Sequence, residues 1–454
     1  MLKTPWLLAG IPLLLGCSLQ PLPIPGDAET NRASCTYGAG TLAADTHDPA
    51  APSGATIPVD HILVLMQENR SFDHYFQKLP EYGQPDVDVA PADFSNPDEN
   101  GNPVTIFHDT AYCFLDTAHS WAASHHQYNY GKMDGFVLAS EGKLDDDEEL
   151  PPGLPQEMLG GERAMSYYDA TDLPYYYELA NQFSIADRYF SSLLGPTWPN
   201  RMHLYAASSY GITRNVPAKE DRKTIFDLLA KAGVSYTIYA DEMPGIVVFS
   251  PDLAAHSAHV KPLADLVTDI ETGKLASVVF VDPILGNHDQ SSIDEHPPAM
   301  APIGEAHIAR ILDALMKSSL WASSAAFLVY DEHGGLWDHV PPPPACIPDG
   351  HAPKLVNDDP DEPFDRYGFR VPMIAISPFA KAHHVSHRVY DHTSITRFIE
   401  ARFGLPAMTR RDANAEVPWD MFDFTSVPHM MPPSIPIPTP DPTKVEICEA
   451  IFAD

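Results

Sequence analysis

Short apolar runs alternate with helical patterns along this chain from about residue 58 onward. The apolar runs predict strands at residues 61–67, 235–239, 277–281, 325–330 and 371–377. Between them, segments such as "KTIFDLLAKAG" and "GEAHIARILDALMKSSLW" carry apolar residues at a spacing of three to four, which is typical of helices. Strands that alternate with helices indicate an α/β domain, so we expect a central sheet covered by helices on both faces.

Two polar segments interrupt this alternation. Residues 80–110 are rich in Pro and Asp, and residues 141–153 contain the acidic run "DDDEE" at 145–149. Such segments are typical of surface loops, and we expect them to form a cap near the functional site. The acidic run is interpreted as a solvated turn, with a dedicated cation site as the alternative.

The charge balance of the chain limits the partners it can bind. Its 454 residues include 28 basic and 62 acidic side chains, a formal net charge of −34, and the hydrophobic content of 44% is enough for a large core. The negative field would repel nucleic-acid phosphates, and the sequence contains no strong local basic patch. We therefore expect a globular protein without a nucleic-acid partner.

The N-terminal sequence "MLKTPWLLAGIPLLLGCSLQ" has the form of a secretory signal, with one lysine before a short apolar run. The run is too short to span a bilayer. Its end resembles a bacterial lipobox, which predicts a signal peptide at residues 1–16, acylation of Cys17, and a lipid-anchored tether and N-terminal segment at residues 17–57. An ordinary signal peptide that is cut elsewhere is the alternative. We therefore expect an exported protein that is anchored at the cell envelope or, without the lipid, secreted.

Four cysteines follow the predicted lipid site, namely Cys35, Cys113, Cys346 and Cys448. An even number in an exported chain predicts two disulfides, in one of three pairings that the sequence leaves open. Four buried free thiols are the alternative. The chain ends in a Pro-rich segment, residues 425–454, which we expect to be an extended arm that Cys448 pins down.

Acidic and amide side chains directly follow two of the predicted strands. Glu68 and Asn69 come after the first strand, and Asp331 and Glu332 come after the fourth. Ligands of open α/β sheets gather at the carboxyl ends of strands, so the two pairs should converge if their strands lie side by side. Three carboxylates in close contact would repel one another unless a cation held them. The pattern therefore predicts a metal site whose oxygen ligands suit calcium, magnesium or manganese better than zinc, with helix capping by the acids as the alternative.

The segment "GPTWPNR" contains a candidate nucleophile. Pro199 fits an early helical position, and Thr197 just before it is predicted to be the N-cap of the helix. A threonine at the positive end of a helix lies where an anion can dock, which suits attack on phosphorus by a hydroxyl that a metal activates. A cap without any catalytic role is the alternative.

Six motifs occur in an order that carries a family resemblance. They are "QENRSFDHYF", "DTAHSWAASHHQYNYGKMDGFV", "GPTWPNR", "DEHPP", "YDEHGGLWDHVPPP" and "GFRVPMIAISPFAK". Together they resemble the bacterial phosphoesterase family that contains phospholipases C and related secreted acid phosphatases, over roughly residues 62–406. Several long motifs in order are far more specific than any single one.

The resemblance implies an alkaline-phosphatase-like, three-layer α/β/α domain with a central, mostly parallel sheet and cap loops, here residues 58–424. It also implies a divalent metal ion, with calcium, magnesium, manganese and zinc all open. The metal ligands implied by the motifs are the residues after the two strands together with the nucleophile: Glu68, Asn69, Thr197, Asp331 and Glu332.

Other residues of the matching motifs receive roles through the same resemblance. His119, His296 and His339 would surround the phosphate as hydrogen-bond donors or as the acid that protonates the leaving oxygen. Lys132 would neutralise a phosphate oxygen, with a solvent-facing lysine as the alternative. Arg201, next to the predicted nucleophile, is interpreted as structural.

The implied reaction is two-step hydrolysis of a phosphoester through a phosphothreonine at Thr197. We expect a phospholipase C, because a lipid anchor would hold the enzyme at a membrane that contains its substrate. The alternative is a secreted acid phosphatase for small phosphomonoesters, favoured by the net charge of −34 and by the lack of the long C-terminal extension that phosphocholine-releasing members often carry. A third hypothesis, a non-catalytic surface lipoprotein, is weakened because all five residues implied as metal ligands are present.

Overall fold

A computed structural model of the protein describes residues 27–452, apart from residues 143–153, 155, 220–221, 242, 284–288 and 358. Its strands are β1 (His61–Gln67), β2 (Ser95–Pro97), β3 (Pro103–Thr105), β4 (Phe107–His108), β5 (Ser166–Tyr167), β6 (Ser184–Ala186), β7 (Tyr236–Ala240), β8 (Val260–Pro262), β9 (Val278–Asp282), β10 (Ser324–Tyr330), β11 (Met373–Ile376) and β12 (His384–Ser386). Eight of these strands form one sheet in the order β12-β6-β11-β10-β1-β9-β7-β8. Strand β11 runs antiparallel to both neighbours, and the other described pairs in this sheet are parallel.

The helices are α1 (Asp27–Ala33), α2 (Ala43–Thr46), α3 (Phe72–Phe76), α4 (Trp121–Tyr128), α5 (Phe136–Ser140), α6 (Pro174–Gln182), α7 (Thr197–Ala206), α8 (Ile225–Ala232), α9 (Ser250–His256), α10 (Leu266–Glu271), α11 (Ala301–Lys317), α12 (His392–Phe403), α13 (Arg410–Ala413) and α14 (Pro442–Ile451). Two groups of helices flank the large sheet. Helices α6, α10 and α11 pack in one group, and α7, α8, α12 and α13 pack in the other. With the sheet between them they form the predicted three-layer α/β/α architecture.

All five predicted strands are present. Strand β1 has the predicted bounds, and β7, β9, β10 and β11 lie within one or two residues of theirs. The sequence pattern did not predict β6, β8 and β12, which have three residues each. So short a run shows no periodicity that distinguishes a strand from a loop.

The register of the central strands sets the position of the candidate site. Strands β1 and β10 pair in parallel along their whole length, from His61 opposite Ser324 to Gln67 opposite Tyr330. Strand β9 pairs in parallel with the other side of β1. Both β9 and β10 are buried throughout, because each face of a central parallel sheet packs against a helical layer. The residues that follow β9, β1 and β10 therefore emerge side by side at one edge of the sheet.

Two disulfides join distant parts of the chain, as predicted, and the structure decides their pairing. Cys35 bonds to Cys346, and Cys113 bonds to Cys448. The first bond holds the described part of the predicted tether, residues 27–57, against the domain. This part of the N-terminal segment is folded and contains α1 and α2.

The Pro-rich C-terminal arm ends in a helix that its sequence pattern did not predict. Helix α14 begins after Asp441, whose carboxylate accepts a hydrogen bond from the N–H of Thr443. Pro442 takes the first helical position, where its missing N–H costs nothing. Cys448 lies in this helix and ties the arm to the domain, as expected.

The predicted cap segment, residues 80–110, is an ordered part of the domain. It contains the β2–β3 hairpin, in which Asn96 bonds to the backbone of Met133 and Phe136. It also supplies Asp88, whose carboxylate lies 3.3 Å from Nε2 of His339. These contacts fix the hairpin side of this segment against the rest of the domain.

Several predicted features fall outside the described residues: the signal peptide at residues 1–16, the lipid site Cys17 and the acidic run at 145–149. Among the residues that the structure does describe, none of the helices is both long and apolar enough to cross a bilayer.

His47 makes the folded state sensitive to acid. Burial, together with the nearby guanidinium groups of Arg32 and Arg397, lowers the pKa of His47 to about 3. Below about pH 6.5 the unfolded chain therefore binds a proton that the folded protein does not, and stability falls as the pH falls towards 3. Between pH 7 and pH 5 this histidine alone should lower the free energy of unfolding by about 2 kcal/mol.

Urea unfolding at pH 7 and pH 5 checks this expectation. The His47→Gln variant should lose about 2 kcal/mol less than the wild type between the two pH values. The exposed His126, replaced in the same way, is the control for removing a histidine. If the free energy of unfolding changed equally with pH in the wild type and in His47→Gln, His47 would not be the source of the acid sensitivity.

Candidate active site

The two polar pairs predicted to converge do meet at the carboxyl ends of β1 and β10. The backbone N–H of Asn69 donates to Oδ1 of Asp331 (3.2 Å), and the N–H of Arg70 donates to the carbonyl of Glu332 (3.1 Å). Glu68, Asn69, Asp331 and Glu332 are all buried. The in-register pairing of the two strands brings these side chains together.

The turn after β10 packs directly on Asn69. Gly334 has a φ of +61°, and a Cβ there would lie 2.5 Å from the Asn69 carbonyl oxygen. Glycine is therefore required at this position for both backbone conformation and space. Asn69 itself has a φ of +58°, in the left-handed region that asparagine tolerates better than most residues.

A buried arginine, Arg201, lies among the carboxylates. It forms ion pairs with three of them, those of Glu68 (2.9 Å), Asp331 (3.0 Å) and Asp282 (3.3 Å). Sequence reasoning expected a metal ion to offset the repulsion between the acids and gave Arg201 only a structural role. In the structure a protein cation already balances part of this charge.

Asp282 is a site residue that sequence reasoning missed. It is the last residue of β9, so it ends a buried apolar run just as Glu68 and Asp331 follow theirs. The rule that found the other acids would have found it too. Its carboxylate also accepts hydrogen bonds from the Tyr205 hydroxyl (2.9 Å) and the Gly245 N–H (2.8 Å).

Burial dominates the electrostatics of this cluster. It raises the pKa of Asp331 and of Asp282 above the ordinary value, although Arg201 opposes the shift. Burial alone would lower the pKa of Arg201, but Asp331 and Glu68 raise it above its ordinary value. The neighbouring carboxylates therefore favour the charged form of Arg201.

Thr197 is the first residue of α7, and the prediction that it is the N-cap is wrong. Pro196 takes the N-cap position with an extended backbone, and it has no side-chain group that could cap the helix. Asn200 fixes the loop before the helix, because its side chain accepts from the N–H groups of Ser192 and Leu193. Thr197 is buried at the helix N-terminus, one turn before Arg201 on the same face.

His119 contacts the predicted metal ligands directly. Its Nδ1 donates to the carbonyl of Thr117 (2.7 Å), so Nε2 is the nitrogen that faces the site. That Nε2 lies 3.3 Å from the side-chain nitrogen of Asn69 and 3.7 Å from a carboxylate oxygen of Glu332. Asp116, which sequence reasoning missed, lies 3.5 Å from Nδ1 on the other side of the ring.

His296 lies beside His119. The ring centroids are 5.8 Å apart and the ring planes are nearly perpendicular. The Nδ1 of His296 donates to the carbonyl of Pro297 (2.7 Å). Asp116, His119 and His296 each offer a ligand atom within 4.8 Å of the others, so this group is a second place where a cation could bind.

The structure places the other two predicted residues, His339 and Lys132, in different surroundings. His339 belongs to a different charged cluster, with Nδ1 at 2.6 Å from a carboxylate oxygen of Asp73 and Asp88 on its other nitrogen. Burial alone would lower the pKa of His339, but Asp73 raises it above its ordinary value. Lys132 is exposed in the loop after α4. Their roles at a phosphate stay predictions.

Glu295, next to His296, anchors this part of the site. Its buried carboxylate accepts four hydrogen bonds, from the hydroxyls of Tyr75 (2.5 Å), Tyr176 (2.5 Å) and Tyr330 (2.6 Å) and from the side chain of Gln67 (3.0 Å). Sequence reasoning assigned Glu295 no role, because the tyrosines that contact it lie far apart in the chain, in α3, α6 and β10. The network fixes the segment from which His296 projects.

The donor set fits a hard divalent cation. It consists of carboxylate, amide and hydroxyl oxygens, the ligands that such ions prefer. Oδ1 of Asn69 is buried and has no hydrogen-bond partner among the described residues, while the Asn69 side-chain nitrogen is turned towards His119. Glu68 and Asp331 would share their oxygens between such an ion and Arg201. The donor set leaves the identity of the ion open.

Comparison with known proteins gives the family. The sequence profile of the Phosphoesterase family matches residues 59–406. The chain belongs to the Phosphoesterase family. The resemblance seen in the six motifs is therefore confirmed.

Two proteins named phospholipase C are similar to this chain over most of its length. Non-specific phospholipase C1 of Arabidopsis thaliana is 31% identical in an alignment 392 residues long, and the match covers 78% of this chain and 69% of that protein. Phospholipase C B of Mycobacterium tuberculosis is 29% identical in an alignment 447 residues long, and the match covers 85% of this chain and 81% of that protein. A crystal structure of a protein in the alkaline phosphatase superfamily from Vibrio parahaemolyticus covers 75% of this chain and 78% of its own, with 11% identity and a TM-score of 0.34.

Replacing Glu295 should destabilise the fold strongly. Glu295→Ala leaves three buried tyrosine hydroxyls without their acceptor, which should lower the free energy of unfolding by about 3 kcal/mol or more. Urea unfolding at neutral pH measures this loss. Glu271→Ala removes an exposed carboxylate and should stay within about 0.5 kcal/mol of the wild type. If both variants lost a similar, small part of the free energy of unfolding, the tyrosine network around Glu295 would not stabilise this part of the fold.

Proposed function

We propose that this protein is a metal-dependent phospholipase C, which cleaves a phospholipid into diacylglycerol and a phosphorylated head group. The observation that carries the proposal is the meeting of Asn69, Glu332 and His119 at the carboxyl ends of β1 and β10, in a chain of the Phosphoesterase family. The relatives named phospholipase C, at 29–31% identity over most of the chain, support a phospholipid as the substrate.

Thr197 is the proposed nucleophile. The Thr197 hydroxyl gives up its proton as its Oγ1 forms a bond to phosphorus. The bond from phosphorus to the diacylglycerol oxygen breaks, and that oxygen takes up a proton, so that no net proton is lost or gained. Water then hydrolyses the phosphothreonine, which regenerates the Thr197 hydroxyl and releases the phosphorylated head group. The buried N-terminal position of Thr197 in α7 supports this role, because the helix dipole there stabilises an anionic phosphate.

His119 and His296 are the proposed proton donors or hydrogen-bond donors. Backbone carbonyls hold the Nδ1 proton of each ring, so each presents Nε2 as its other nitrogen. Glu68, Asn69, Asp331 and Glu332 would hold a divalent cation. Such a cation supplies positive charge that offsets the charge of the phosphate oxygens.

A secreted acid phosphatase that acts on soluble phosphomonoesters is the second candidate. The observation that favours it is the net charge of −34, which repels an anionic membrane surface. Both candidates use the same nucleophile and the same metal ligands. They differ in the leaving group and therefore in the products.

We also propose that the protein is exported and that a lipid on Cys17 keeps it at a membrane. The two disulfides support export, because such bonds form and persist in oxidising compartments. An anchor at Cys17 would place the domain close to phospholipid substrates through residues 17–57.

Removing the Thr197 hydroxyl should abolish turnover. Thr197→Val keeps the shape of the side chain and should lower kcat by about a thousandfold or more, whereas Thr197→Ser keeps a hydroxyl and should retain measurable activity. Mass spectrometry of the products, from a mixed panel of phospholipids and phosphomonoesters, measures both the rate and the reaction.

The products decide between the two candidates. Diacylglycerol and a phosphorylated head group that disappear in Thr197→Val identify a phospholipase C. Inorganic phosphate released from monoesters alone identifies a phosphatase and rejects the lipid substrate. Wild-type activity in Thr197→Val would reject Thr197 as the nucleophile.

Removal of divalent ions should also abolish hydrolysis. After dialysis against a chelator, activity should return on addition of one of calcium, magnesium, manganese or zinc, and Glu332→Gln should weaken the response to that ion by at least about tenfold. The assay is the rate of hydrolysis against ion concentration. Full activity of the chelated protein would contradict a metal-dependent mechanism.

A further inference from the structure

Arg201 connects the helix of the nucleophile to the ends of three strands. Its guanidinium is fully buried and contacts one carboxylate from each strand end, those of Glu68 after β1, Asp282 of β9 and Asp331 after β10. Each nitrogen of the guanidinium bonds to a different carboxylate. Because the strands are fixed by the sheet, these bonds fix the position of α7 as well.

The three carboxylates differ in what else holds them. Asp282 is anchored by the Tyr205 hydroxyl and the Gly245 N–H, and a Cβ at residue 245 would lie 2.1 Å from that hydroxyl. Glycine at 245 is therefore needed for the contact between Tyr205 and Asp282. Glu68 and Asp331, by contrast, are the carboxylates proposed to bind the divalent cation.

We infer that Arg201 is a positioning residue that balances the charge of the proposed metal site, with Asp282 as its own fixed counter-ion. This inference rests on the proposed function and adds a role for two residues that the reaction scheme does not use. Arg201 holds Glu68 and Asp331 in place and, through α7, holds Thr197 at the strand ends. The pair of Arg201 and Asp282 also sets how strongly the site attracts cations and phosphate.

The charges predict whether each replacement strengthens or weakens the binding of the cation and of phosphate. Arg201 and a divalent cation would attract the same oxygens of Glu68 and Asp331, so removing the arginine should strengthen cation binding. It should also weaken phosphate binding, because the site loses one positive charge. Removing the charge of Asp282 should weaken cation binding. The site loses one negative charge, and Arg201 is left to pair with Glu68 and Asp331 alone.

An arginine with a purely structural role would behave differently. Its replacement would destabilise the protein to the same extent with and without the ion, and cation affinity would stay the same. Arg411 offers this comparison within the same chain. It is as buried as Arg201, and its guanidinium donates to the backbone carbonyls of Cys346, Ser192 and Phe364.

The test uses the full-length protein with its disulfides intact and Mn²⁺ as the probe. Calorimetric titration measures the Kd for Mn²⁺, and inhibition by inorganic phosphate measures the affinity for the anion. Arg201→Met should lower the Kd for Mn²⁺ at least about tenfold and weaken phosphate inhibition at least about tenfold. Asp282→Asn should raise the Kd for Mn²⁺ by about fivefold or more.

Two further variants separate charge from shape. Arg201→Lys keeps the charge but loses the planar fork, so it should restore the wild-type Kd for Mn²⁺ to within about threefold while kcat stays reduced. Arg411→Met should lower the melting temperature equally with and without Mn²⁺ and leave the Kd within about threefold of the wild type. If Arg201→Met does not fold, the contrast between the other two variants still decides the question. The Kd for Mn²⁺ should stay near the wild-type value in Arg201→Lys and rise by about fivefold or more in Asp282→Asn.

The outcomes distinguish this inference from the proposed function. A wild type that binds Mn²⁺ and hydrolyses phosphoesters, with Arg201→Met unchanged or weaker in Mn²⁺ affinity, overturns the inference alone. The inference is also overturned if the Kd for Mn²⁺ changes in the same direction in Arg201→Met and Asp282→Asn. A wild type that neither binds a divalent cation nor hydrolyses phosphoesters overturns the inference and the proposed function together.

Discussion

The structure depends on the burial of like charges at the carboxyl ends of β9, β1 and β10. In-register parallel pairing forces Glu68 and Asp331 to emerge side by side, and Asp282 ends the strand on the other side of β1. Buried carboxylates are costly without a partner. Arg201 supplies that partner by forming an ion pair with each of the three carboxylates.

This constraint also positions Thr197, the proposed nucleophile. Thr197 and Arg201 lie on the same face of α7, one turn apart, so the ion pairs that satisfy the acids also place the helix N-terminus at the strand ends. Helix α12 adds a second fixed contact, because Nε2 of His392 donates to the carbonyl of Asp331 (2.6 Å). Both helices belong to the same layer of the domain. Packing of that layer therefore contributes directly to the geometry of the site.

The same principle recurs away from the site. Asp73 and Asp338 are buried, and Arg370 pairs with both at 2.7 Å and 2.9 Å. Arg370 and Asp73 also contact His339, which in turn reaches Asp88 of the cap segment. Glu295 is satisfied instead by tyrosine hydroxyls and Gln67. Buried polar groups in this domain are thus held by partners from distant parts of the chain, which makes their positions mutually dependent.

The sequence by itself determined five of the eight strands of the large sheet, the family and the convergence of four site residues. Long apolar runs identify β1 and β10, and the rule that ligands gather at carboxyl ends places Glu68, Asn69, Asp331 and Glu332 together. Only the tertiary structure decided the disulfide pairing, the ion pairs of Arg201 and the contact of His339 with Asp73. These depend on contacts between residues far apart in the chain, for which local periodicity carries no signal. Even the N-terminal residue of α7 was decided by backbone geometry, because Pro196 and Thr197 are both acceptable at a helix start.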